Sequence, residues 1–211
     1  MDRRRLCGPL VARLLHPCSP NGRGPAWCWR IDPRSTLAVV TEGEVGLVAL
    51  RCTKRLLRRL RIEVTDSVGH PGNALGHWYA NVVTINRALF VLAISERSLL
   101  SVVVPGAPFN TLPVRVPQAL AELLRNLSVP EREVARELTA MSPLTVAATA
   151  SRKVLGCLNQ YAFELEVDFH YNPGRTLLER ELWLSENISS AIRYSHPRDL
   201  AIELLAAEGR Q

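Results

Sequence analysis

Two apolar runs, "HWYANVVTI" and "ALFVLAI", are separated only by Asn86-Arg87. Asn tolerates the left-handed backbone that short hairpins need, so the pattern predicts an antiparallel pair of strands. Closure at that turn sets His77 opposite Glu96 and Trp78 opposite Ser95. The second run is apolar at consecutive positions and belongs inside a sheet, not at a half-solvated edge. "SLLSVVVP" predicts a third strand that stops at Pro105. Upstream, "GLVALRCT" is a shorter run of β type, and Thr53 is a candidate N-cap for a helix over "KRLLRRLR". On that helix Leu56, Leu57 and Leu60 share one face, while Lys54, Arg55, Arg58, Arg59 and Arg61 spread over the other. The intervening "VTDSVGHPGNALG" reads as a loop, marked by Pro71, its glycines and Asn73.

Beyond the prolines at 105, 108, 113 and 117 the spacing becomes helical. Val116, Ala119, Leu120, Leu123, Leu124 and Leu127 recur at helical intervals. A second helix after Pro130 is expected to carry Val134, Ala135, Leu138 and Met141 inward. "PLTVAATA" is a further strand candidate. A long helix from about Arg152 follows, with Val154, Leu155, Leu158, Tyr161, Ala162, Leu165 and Phe169 on one stripe, ended by "YNPG". "RTLLERELWLS" predicts another helix, and Ser195 or His196 caps a last one with Pro197 in its first turn. Strands precede helices in this order. The expectation is an α+β fold: a small, mainly antiparallel sheet from the N-terminal half, covered on one face by a helix-rich C-terminal half, all within residues 46–208.

Residues 1–45 follow no such period and are dense in Pro, Gly, Ser and Arg. They read as an irregular extension with its own role, or as upstream sequence translated from a start codon chosen too early. In the second, preferred reading the true start falls at a valine such as Val45 or Val48.

Composition narrows the class. At 211 residues and 47% apolar the chain can form an ample core. No uninterrupted apolar stretch approaches the roughly 18 residues of a spanning helix, and Arg13 and His16 break the run that follows "MDRRR". A cytoplasmic location without membrane association is expected. The five cysteines, Cys7, Cys18, Cys28, Cys52 and Cys157, are odd in number and form no Cys-x-x-Cys pair, so neither a zinc site nor a disulfide framework is indicated. The net charge of +6 is concentrated: residues 1–50 carry +3 and residues 51–64 carry +5, leaving −2 for the remainder. Basicity is therefore a local property of one segment, and it directs attention to Arg51, Lys54, Arg55, Arg58, Arg59 and Arg61 as a binding face.

Five blocks in order, "ALRCTKRLLRRL", "LGHWYANVVTI", "LFVLAISERSLLSVVVP", "LPVRVPQALAELLRNLSVPEREVARELTAM" and "ASRKVLGCLNQYAFELE", resemble a bacterial family described as domain of unknown function 6933. The likeness covers roughly Val48 to Leu205. The chain departs from the family pattern at Ser95, where members tend to carry Asn before Glu-Arg, at Ser101, where they tend to carry Pro, and in its long N-terminal extension. The resemblance implies a shared fold and supplies no activity, so no catalytic residue is carried over from it.

Candidate chemistry is sparse. His77 and Glu96, set opposite each other by the hairpin, are the best geometric hint of a catalytic site, although an isolated pair of this kind is more often a structural hydrogen bond. Arg152, Lys153 and Asn159 stand near the start of a helix, where the dipole favours anions. No phosphate loop, dinucleotide fingerprint, zincin motif or nucleophile elbow is present, and no cofactor or metal is implied. The preferred reading is a binding module whose basic helix contacts nucleic acid or an acidic protein. The alternative is an enzyme of unrecognised class working near His77 and Glu96.

Overall fold

The computed structural model describes residues 47–65 and 68–210, and the expectations for residues 1–45 fall outside them. The apolar run after Gly46 forms strand β1 (Ala49–Cys52). Thr53 then caps helix α1 (Lys54–Leu60), its hydroxyl oxygen accepting from the Leu56 amide and its hydroxyl proton going to Asn81 Oδ1 at 2.8 Å. About two turns later the helix is ended by Arg61 in the left-handed conformation, φ 51°.

Strands β2 (Trp78–Ile85) and β3 (Ala88–Ser95) pair antiparallel in the expected register, Trp78 opposite Ser95. Their turn places Asn86 and Arg87 at φ 49° and 64°, the backbone that a two-residue hairpin with right-handed strand twist requires. Strand β4 (Ser101–Pro105) extends the meander beside β3. The remaining strand, β5 (Thr145–Ala148), comes from the C-terminal half and lies beside β1. The spatial order is β4-β3-β2-β1-β5, and β1 runs parallel to both of its neighbours. The sheet is thus mixed and not mainly antiparallel. Hairpins build only its β2–β4 part; β1 and β5 reach their places through long connections, and only long connections allow parallel pairing.

Helices α2 (Leu112–Asn126), α3 (Glu131–Ala140), α4 (Arg152–Tyr171), α5 (Leu177–Ser185) and α6 (Pro197–Glu208) supply the cover. Side-chain alternation along β2 divides the core in two. Trp78, Ala80 and Val82 join Leu56 of α1, Leu120 and Leu124 of α2, Val134 of α3 and Leu205 of α6. Tyr79, Val83 and Ile85 join Val154, Leu158, Tyr161 and Leu165 of α4 and Leu184 of α5. Both faces of the sheet are covered, where cover on one face was expected. The reason is visible in β3, whose consecutive Val91, Leu92, Ala93 and Ile94 leave no face that tolerates water.

Charged residues complete the framework. Glu181 of α5 accepts the amide of Val103 at 2.5 Å, engaging a donor on edge strand β4. Arg180, fully buried, pairs with Asp168 of α4, donates to the Asn172 carbonyl at 2.7 Å, and lies 3.7 Å over the Phe169 ring. On α3 the inward stripe departs from expectation: Val134 and Met141 are buried, Ala135 is exposed, and Glu137 takes an inward place. No helix among the described residues is long and apolar enough to cross a membrane.

Candidate functional site

The basic segment divides according to where the backbone points each cation. Arg51 lies in β1, half-buried, and donates Nη1 to the Ala148 carbonyl at 3.3 Å, so it braces β1 against the end of β5. Lys54 is exposed at the first turn of α1, and Arg55 donates to Thr84 Oγ1 at 3.1 Å. Arg58, Arg59 and Arg61 gather at the other end of the helix. Because Leu56 and Leu60 are held in the core, the last turn and its left-handed cap turn these three guanidinium groups outward together.

They line a cleft of about 560 Å³ whose other walls are Leu60, Phe109 and Asn110. Among the described residues, no acid lines it. The Arg59 guanidinium stands 5.6 Å over the Phe109 ring, a cation–π contact that holds a flexible side chain at the mouth. Among the described residues, none of the six cations of the segment closes a salt bridge with an acid. An arrangement of planar, always-charged donors around an acid-free recess suits bidentate contacts to phosphate or carboxylate oxygens.

The opposite wall is positioned by a residue outside the cleft. Arg115 of α2 donates Nε to Thr111 Oγ1 at 2.8 Å, Nη1 to the Pro105 carbonyl at 2.6 Å, and Nη2 to the carbonyls of Gly106 and Pro108 at 3.2 and 2.7 Å. One guanidinium thereby fixes both ends of the segment that presents Phe109 and Asn110.

Arg152 and Asn159 lie on α4, which covers the other face of the sheet. Both are exposed and sit two helical turns apart, so they share a side of α4 without converging on its first turn. There Ser151 Oγ accepts the Val154 amide.

His77 and Glu96 are adjacent through the backbone, the Glu96 amide donating to the His77 carbonyl at 2.8 Å. Their side chains go elsewhere. His77, 4% exposed, accepts the Ala49 amide at Nδ1 (3.3 Å), which leaves Nε2 protonated and donating to the Gly69 carbonyl at 3.1 Å. Burial lowers the affinity of this imidazole for a second proton, and the nearby Arg51 charge lowers it further. The Glu96 carboxylate instead accepts the Tyr79 hydroxyl at 3.3 Å, and burial together with that carboxylate raises the phenol above its ordinary value. Both ring nitrogens of His77 are thus engaged in tying the start of β2 to its surroundings. Cys52 is buried and its thiol is pushed up to about 12 by desolvation, which keeps it protonated. No group of three or more His, Cys, Asp or Glu among the described residues is placed to hold a metal ion.

Phe109, Asn110 and Arg115 had no signal of their own in the sequence. They fall in and just after a proline-rich connection, where neither period nor motif distinguishes a presented ring from a linker residue. No curated protein and no solved structure matches the chain. A family model does: that of Domain of unknown function (DUF6933) matches residues 49–200, most of the chain, and the protein belongs to this family.

Proposed function

We propose that the protein binds nucleic acid through the phosphate backbone at the cleft beside the end of α1. The observation that carries this reading is the convergence of Arg58, Arg59 and Arg61 on a recess that no acid lines among the described residues. Cations in the last turn of a helix also complement its dipole, worth about 0.3–1 kcal/mol. That effect accounts for basic residues at the end of the helix, Arg61 at its cap included, but it gives no reason for their shared opening. Like charges three and four residues apart disfavour the helix slightly, and an anionic ligand would offset this.

The test is a titration of fluorescent oligonucleotides at several salt concentrations. Three phosphate contacts predict a log K against log salt slope of about −3 on duplex DNA, from about −0.9 per phosphate. Reversing the charge of Arg58 and Arg59 should flatten the slope and leave the fold intact. Both the full chain and the chain starting at Val48 are needed, because the arginines of residues 1–45 can attract polyanions by themselves. Absence of binding by the shorter chain at low salt refutes the proposal. Stronger binding of polyglutamate than of any oligonucleotide would assign the cleft to an acidic protein instead.

A further inference from the structure

We infer that the cleft takes single-stranded nucleic acid, with a nucleobase stacked at the Arg59–Phe109 pair and its phosphates on Arg58 and Arg61. This rests on the nucleic-acid reading above and narrows it.

The shape of the surface argues against the reading of a duplex, which could touch the cleft only through its phosphates. Reading a duplex requires an element that projects into a groove, and α1, with seven residues, is only about 10 Å long and ends in a recess. A recess is instead something into which a ligand projects. A base can project only when it is free of its partner strand.

The lining supplies what an unpaired base uses. Phe109 is half-buried, anchored against the core beneath the sheet and open toward the cleft. With Arg59 held over its ring it forms an aromatic and guanidinium surface, the two side-chain types on which single-stranded bases stack. Asn110, exposed beside it, offers one amide donor group and one acceptor to a base edge. Phosphate binding alone explains the arginines but not an aromatic ring beside them, under Arg59. The ring does not wander, because the Arg115 fork fixes the segment that carries it.

The experiment uses the full-length chain, with the chain starting at Val48 beside it to remove the arginines of residues 1–45, and a labelled single-stranded oligonucleotide, the duplex of the same sequence, and heparin, each competed at fixed salt. The variants are Phe109→Leu, which keeps apolar bulk and removes the aromatic face, and the double charge reversal Arg58→Glu with Arg59→Glu. The single strand should bind at least about tenfold more tightly than the duplex, and Phe109→Leu should remove most of that preference while leaving its salt slope, the duplex and heparin unchanged. The charge reversal should weaken all three. If Phe109→Leu leaves the single strand unaffected, or if duplex binds as well as single strand, while charge reversal still abolishes binding, this inference fails and phosphate binding at the cleft stands. If charge reversal has no effect on any of the three, both fail. Circular dichroism and urea midpoints of each variant separate loss of binding from loss of fold.

Discussion

Glu137 ties the thermodynamics of this fold to pH in a way that can be measured directly. Its carboxyl is 1% exposed and accepts from Asn73 Nδ2 at 2.6 Å and from the amides of Ala74 and Leu75 at 3.0 and 3.4 Å, holding the segment that enters β2. Burial, with a smaller contribution from Glu208, raises its pKa from an ordinary 4.5 to about 7 despite those donors. The folded chain therefore binds this proton more tightly than the unfolded one. Its contribution to stability is fully present below 4.5 and is lost as pH rises to about 7. The gap corresponds to about 3 kcal/mol, most of it between pH 5 and 8. Glu181, raised to about 8 by its burial, acts in the same direction. His77, held below its ordinary 6.5, acts in the opposite one, losing stability as pH falls through that value. The comparison that isolates Glu137 is Glu137→Gln, which keeps size and an accepting oxygen but does not titrate. Urea unfolding followed by tryptophan fluorescence, at constant ionic strength from pH 5 to 8, should show the variant gaining about 2–3 kcal/mol on the wild type as pH rises. A difference constant to within about half a kcal/mol across that range would mean that the three donors outweigh desolvation and that the carboxylate is charged in the fold.

Two substitutions test the framework around it. Leu158→Ala removes a fully buried side chain from the layer between α4 and the β2–β3 hairpin and should cost about 2–5 kcal/mol in urea denaturation; a loss below about half a kcal/mol would contradict its packing there. Asp168→Ala leaves the fully buried Arg180 without its counter-charge and should cost about 3–5 kcal/mol, whereas Arg175→Ala, whose guanidinium is 37% exposed, should cost no more than about 1. Equal losses in the same assay would mean that Arg180 is not the partner on which the buried carboxylate depends.

What the sequence disclosed depended on the range of the interaction. The hairpin was legible to the residue, Trp78 against Ser95, because a two-residue turn at Asn86-Arg87 and the strand period leave one register. The stripe of α4 was equally clear, since Leu158 and Leu165 repeat at helical spacing. Direction and neighbour were not: β1 and β5 are four residues each, and such short apolar runs carry no mark of which strand they join or whether they run parallel. The mixed sheet follows from those pairings. Buried charge was also hidden. Glu137, Glu181 and Arg180 occupy helix positions where a charged residue ordinarily faces water, and only the tertiary partners reveal that they do not. Of the candidate site, the cluster of cations could be read from composition, but not that Arg58, Arg59 and Arg61 alone would meet, nor that Phe109 would face them.

The four hydrogen bonds of Arg115 bear on kinetics as much as on shape. A loop that closed over its ligand would exact its ordering entropy at each binding event and would slow capture. Here that entropy is lost once, when the chain folds, and a strand bound as proposed would meet a wall already in place. On the proposed function, capture would be governed by diffusion and by the field of the neighbouring arginines, so different oligonucleotides should associate at similar rates at a given salt. They should be told apart by how long they stay.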